Sequence, residues 1–158
     1  MKFSTKQDIE TPAAYLYAAL IDFEGWERAA MRRGADVART DKMRQVGAGM
    51  SWHVAFQFRG RQRKMDLRLL NMIPNSKLEF AALSAAIDAT TKIEIVEMSA
   101  KRARLHVTAN ITPLTLTAKL FIQSLRLARA RADRKFAQRV QTIVTEIEAR
   151  YRDEQKVS

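Results

Sequence analysis

MSWHVAFQFRGRQRKMDLRL, residues 50–69, is the stretch that decides the fold. Met50, Trp52, Val54, Phe56 and Phe58 alternate with Ser51, His53, Ala55, Gln57 and Arg59. This twofold period is that of a half-buried strand, because successive side chains leave a strand on opposite faces. Arg59-Gly60-Arg61 marks a hairpin turn. The return segment places Met65, Leu67 and Leu69 against Lys64, Asp66 and Arg68. A hairpin with one apolar and one polar face belongs to an antiparallel sheet covered on one side only.

The same period continues downstream. Pro74-Asn75-Ser76 signals a turn, after which Leu78, Phe80 and Ala82 alternate inward, followed by Ile93 and Ile95. Leu105, Val107, Ala109 and Ile111 then oppose Arg104, His106, Thr108 and Asn110. Upstream, Phe3, Thr5, Gln7 and Ile9 form one side of a short first strand. Thr11-Pro12 reads as an N-cap followed by proline in the first helical position. Tyr15, Leu16, Ala19 and Leu20 give that helix one apolar stripe. Asp22 caps a second short helix carrying Trp26, Ala30 and Met31, and Gly34 stops it. Residues 35–40 form a weak strand, and 46–49 a loop.

Thr112-Pro113 repeats the capping signal and opens a long helix to about Arg152. Phe121, Leu125, Ala128, Ala132, Phe136, Val140, Ile143, Ile147 and Tyr151 recur at helical spacing on one side of it. The predicted architecture is α+β. An antiparallel sheet of about six to seven strands wraps around the C-terminal helix, with two short helices between strands one and two. Residues 1–152 form the domain, and the polar residues 153–158 are expected to fray. Only the terminal helix is long enough to cover the apolar face of the sheet. A helix of ~40 residues would be roughly 60 Å long, so a kink or an overhang is required.

Composition limits the function. The 158 residues suit one domain, and 47% hydrophobic content is ordinary for a globular chain. Without cysteine there is no disulfide, thiolate metal site or cysteine nucleophile, and two histidines exclude a three-histidine metal site. The first ten residues carry no apolar signal core, and Lys119 breaks the most apolar neighbourhood, 114–122. A cytoplasmic location is therefore expected. The formal charge of +11 favours anionic partners.

The segment Ile9-Glu10-Thr11-Pro12-Ala13-Ala14-Tyr15-Leu16-Tyr17, then Leu20-Ile21-Asp22 and Trp26, resembles the START-like superfamily. So do the order of elements and the terminal amphipathic helix, and the resemblance covers nearly the whole chain. This helix-grip superfamily, also called SRPBCC, includes birch-pollen-allergen and polyketide cyclase/dehydrase types. The resemblance implies a curved sheet around the helix with an apolar cavity between them. Its members bind lipids, sterols, polyketides or hormones, and a minority catalyse. Some bacterial relatives carry ubiquinone or act at the ribosome.

With that cavity, the inward residues become its lining. They are Trp52, Val54, Phe56, Phe58, Met65, Leu67, Leu69, Phe80, Leu105 and Val107 from the strands, with Phe121 and Leu125 from the helix. Such a stripe also fits plain core. Gln7, Tyr15 and Tyr17, together with Thr5, Asn71 and Thr108, are polar groups that would orient a small molecule. None of the inward strand residues is titratable, and both His53 and His106 point outward, so no catalytic residue is assigned. No metal or cofactor is expected. A cyclase or dehydratase in this cavity would act mainly by orienting its substrate.

The primary functional expectation is therefore carriage of a lipid, isoprenoid or polyketide-like molecule. The alternative uses a basic surface of Arg59, Arg61, Arg63, Lys64, Arg126, Arg131, Arg134 and Lys135 to dock to RNA, a ribosome or an anionic membrane. Overhanging helix ends would also support a homodimer.

Overall fold

The alternating segments become seven strands in a computed structural model that describes residues 1–157. The chain runs β1 (Lys2–Ile9), α1 (Ala13–Leu20), α2 (Phe23–Arg32), β2 (Asp36–Arg39), β3 (Ser51–Phe58) and β4 (Arg61–Ile73). It continues through β5 (Lys77–Leu83), β6 (Ile87–Ser99), β7 (Arg102–Pro113), α3 (Leu116–Leu127) and α4 (Arg129–Val157). The sheet order is β1-β7-β6-β5-β4-β3-β2, and each neighbouring pair is antiparallel. β1 and β2 are thus opposite edges. Seven strands at ~4.8 Å spacing span roughly 29 Å, the distance that α1 and α2 must help to cross. This is the α+β arrangement expected from the sequence.

The β3–β4 hairpin forms where the period placed it. Arg59 and Gly60 have φ of 54° and 74°, the two positive values of a type I′ turn. Phe56 pairs with Arg63, Val54 with Met65 and Trp52 with Leu67, so these six side chains share the inner face. His53 pairs with Asp66 on the outer face. Further along, the β4–β5 register shifts between Leu69 and Asn71. This bulge returns Met72, paired with Leu78, to the inner face that Leu69 shares with Phe80. Asn71 consequently pairs with Glu79 on the outer face, against its expected inward role.

The helices depart from the sequence reading in four places. Thr11 is buried but does not cap α1, because its hydroxyl donates to the Pro12 carbonyl. Thr112 and Pro113 belong to β7, where Pro113 pairs with Ile87 at the strand end and its missing N–H is tolerated. The cap of α3 is Thr115, whose hydroxyl accepts from the Ala118 N–H at 3.1 Å. The long helix then breaks at Ala128 into α3 and α4, and α4 runs to Val157 through the region expected to fray. Ser158 lies outside the described residues. By contrast Asp22 does cap α2, accepting from the Gly25 N–H at 3.3 Å, and Gly34 follows with φ of 94°.

The break separates two tasks. α4 packs along β1, with Phe136 against Phe3 at 5.6 Å between ring centroids. Just after the break, Arg129 donates to the Lys2 carbonyl, lies over the Phe3 ring and pairs with Asp133. Val140, Val144 and Ile147 then enter a core shared with Leu16, Trp52, Leu69, Leu78, Ile95 and Leu105. Each such side chain contributes roughly 1.5–3 kcal/mol by leaving water. Replacing the fully buried Ile147 by alanine should cost about 2–5 kcal/mol in urea unfolding, whereas Leu127→Ser on the exposed end of α3 should stay within about 0.5 kcal/mol.

The β2–β3 loop is held by one carboxylate that the sequence reading overlooked. Asp41 accepts both Arg39 Nε at 2.8 Å and Nη2 at 2.6 Å, and the N–H groups of Met43 and Ser51 at 2.9 Å each. The guanidinium, then these amides, hold its carboxyl well below the usual range. A depressed folded pKa contributes stability above the unfolded value of about 3.9 and loses it as pH falls through the folded value. Asp41→Asn should therefore lower the melting temperature at neutral pH. The gap to the parent chain should narrow below about pH 4, as read by circular dichroism.

Candidate ligand-binding site

An open pocket of about 750 Å³ lies at the hairpin end of the sheet. Its origin is a mismatch of strand lengths. β5 ends with Leu83 opposite Asp66, so residues 61–65 of β4 extend beyond it. The space beside that free edge is bounded by Phe56, Phe58 and Met65 from the hairpin, residues 84–87 from the β5–β6 turn, and Ala118 and Phe121 from α3. Ser84 fastens the turn by accepting from the N–H groups of Ala86 and Ile87 at 3.2 and 3.1 Å. Arg59 closes the upper side, with its guanidinium 4.5 Å from the Phe121 ring centroid and 5.7 Å from that of Phe58. His53, Lys64 and Asp66 also border the pocket from the outer face, so it reaches round the free β4 edge.

The volume falls in the roughly 300–1,000 Å³ range of small-molecule sites. Its position is narrower than the sequence implied. The pocket lies between the sheet and α3, and no α4 residue lines it. Phe56, Phe58, Met65 and Phe121 are at its wall. Trp52, Leu69, Leu105 and Val107 are instead buried in the core, because α1, α2 and α4 cover that part of the inner face. Trp52 packs against Phe23 at 5.2 Å and donates its indole N–H to Glu27, fastening α2 to the sheet. Val54, Leu67 and Phe80 are half-buried against the same core. Leu125 is half-buried on α3 but outside the lining.

The polar residues anticipated for the cavity serve elsewhere. Gln7 donates to the Ala137 carbonyl at 2.8 Å and to Thr5, tying β1 to α4, while its buried Oε1 has no partner. Tyr15 lies edge-on to Tyr151 at 4.8 Å near the end of α4. Burial, then a hydrogen bond with Glu154, pushes its pKa up. Tyr17 is in the core, where burial raises its pKa and its hydroxyl is unpartnered. None of the three lines the pocket.

The basic residues divide. Arg61, Arg126, Arg131, Arg134 and Lys135 are exposed, as expected. Arg63 departs from its expected surface role. It shares the inner face with Phe56 and Met65, lines the pocket and is half-buried. The strand period itself carried this signal, since residue 63 has the parity of Met65. The turn residues 84–87 and the α3 cap had no such signal, because they meet the hairpin only in three dimensions. The two histidines lie on the outer face, His53 bonded to Asp66 and His106 to Ser4, each at 2.8 Å. Among the described residues no acidic, histidine or cysteine cluster of metal-binding size occurs. No helix of these residues is long and apolar enough to cross a membrane.

No protein-family model and no curated protein matches this chain. Solved structures do match. The Zhui aromatase/cyclase from Streptomyces sp. R1128 is similar with a TM-score of 0.68 at 12% identity, over 96% of this chain and 95% of that one. Ara h 8.0201 gives 0.60 at 14% identity, over 94% and 95% of the two chains. A START superfamily protein from Mycobacterium smegmatis gives 0.58 at 13% identity, over 84% and 95%. At such identities the likeness concerns the fold alone. The chain has the START-like helix-grip fold.

Proposed function

We propose that this protein binds and carries a hydrophobic small molecule of lipid, isoprenoid or polyketide type in the pocket beneath α3. The observation that carries this reading is the pocket wall. Phe56, Phe58, Met65, Ile87, Ala118 and Phe121 present apolar surface to a volume that would fit such a molecule. Burying apolar ligand surface there supplies about 25 cal/mol per Å², and a few polar groups at the rim suffice for orientation. The aromatase/cyclase name of one structural neighbour adds cyclisation of a bound substrate as an alternative use for the pocket.

The test combines extraction and obstruction. Denaturing extraction followed by mass spectrometry should release an apolar compound, and the emptied protein should bind a fluorescent apolar probe. Ala82, which shares the inner face with Leu67 and lines the pocket, offers a place to fill the space. Ala82→Trp should weaken probe binding at least tenfold while leaving the circular dichroism spectrum intact. Undiminished probe binding in a folded variant would refute this site.

A second reading, docking to an anionic membrane, rests on α3. Leu116, Leu120 and Leu127 are 74, 59 and 92% exposed, and at 100° per residue they fall within ~40° of one another. Lys119 and Arg126 lie ~60–80° to one side of this stripe, on a chain of charge +11. Apolar groups that enter a lipid interface beside cations that meet its headgroups characterise interfacial helices. Binding to phosphatidylserine-containing vesicles should fall with salt and disappear in L116S/L120S/L127S. Retention of an oligonucleotide RNA by the chain, with no dependence on the leucines, would favour RNA as the partner.

A further inference from the structure

We propose that the pocket selects an amphiphile bearing an oxyanion head, with the Arg63 guanidinium as its receptor. This inference rests on the carrier reading above and specifies which molecules the carrier would accept.

Arg63 stands opposite Phe56 in the β3–β4 ladder and two residues before Met65, so its side chain enters the apolar face. Its Nε is buried and has no hydrogen-bond partner. Among the described residues, no carboxylate forms an ion pair with it. The carboxylate bordering the pocket, Asp66, is on the opposite face and bonded to His53 at 2.8 Å. The neighbouring cation Arg59 is engaged by the faces of Phe58 and Phe121. Arg63 is therefore a cation held at an apolar wall with its inner N–H unsatisfied.

A buried donor without an acceptor is disfavoured, and most such groups in folded proteins find a partner. Guanidinium donors form a planar fork that matches carboxylate and phosphate oxygens. Met65 and Phe56 beside the fork would meet the adjoining hydrocarbon. An apolar body with a terminal oxyanion satisfies both parts of the wall. A neutral alcohol of equal length can accept one hydrogen bond, but it offers no second oxygen to the fork and leaves the charge without a counterion.

Three twelve-carbon probes separate the possibilities: dodecanoate, dodecyl phosphate and dodecanol, each competing against a fluorescent apolar dye below its micelle concentration. The parent chain should bind at least one anionic probe roughly 10- to 100-fold more tightly than the alcohol. Arg63→Gln should remove that preference while retaining alcohol binding, and Arg63→Lys should restore part of it. Lys101→Gln, in the exposed turn between β6 and β7, should leave the preference unchanged and so controls for net charge. Preference for dodecanoate identifies a carboxylate head, and preference for dodecyl phosphate a phosphate head. Equal binding of acid, phosphate and alcohol overturns the inference and leaves the carrier reading standing. So does an anion preference that survives in folded Arg63→Gln. If none of the probes binds to a protein first emptied by extraction, both fall.

Discussion

One sheet with a single apolar face must be covered, and the cover does not fit it everywhere. α4 lies along β1 and drives Val140, Val144 and Ile147 into the core. α1 and α2 cover the part of that face around Trp52 and Leu69, with Phe23 against the indole. At the hairpin end, β4 outruns β5 and only α3 approaches. The pocket is the volume left by that mismatch. Its strand walls belong to the same alternating pattern that elsewhere makes solid core. Phe58 is 47% exposed, whereas Trp52 on the same strand is 4% exposed.

The helix breaks at Ala128 between two docking sites. α4 follows β1, while α3 lies at the pocket beside the hairpin. Arg129 marks the point of docking, with the Lys2 carbonyl, the Phe3 ring and Asp133 around it. Before the break, α3 is held at the hairpin by Phe121 against Phe58 and Arg59. These contacts join two segments far apart in sequence by a cation and two rings, and they border the pocket directly. The apolar groups of α3 therefore divide between an inward side, which closes the pocket, and an outward side, which meets solvent as leucine.

Polar side chains in the interior obey a stricter accounting than apolar ones, since a buried donor or acceptor needs a partner. Gln7 satisfies its amide N–H groups with the Ala137 carbonyl of α4 and the Thr5 hydroxyl, although its Oε1 is unpartnered. Asp41 satisfies its carboxylate with one guanidinium and two amides. Arg63 has no comparable set, and it alone of these three lines the pocket. Of these groups, Arg63 is the one whose unpartnered atom belongs to a residue of the pocket wall.

The antiparallel sheet, the hairpin at Arg59-Gly60, the cap at Asp22 and the outward histidines were all legible in the order of residues. Each depends on side-chain period or on a few adjacent residues, so local chemistry suffices. That order also contained the inward parity of Arg63, although charge suggested a surface role. Other features arose from the packing of distant segments. The bulge at Leu70 turned Asn71 outward, Thr115 displaced Thr112 as the helix cap, and the helix broke at Ala128. The position of the pocket was set there too. It depends on where β5 stops relative to β4 and on how α3 approaches both, relations among distant segments that no local pattern encodes.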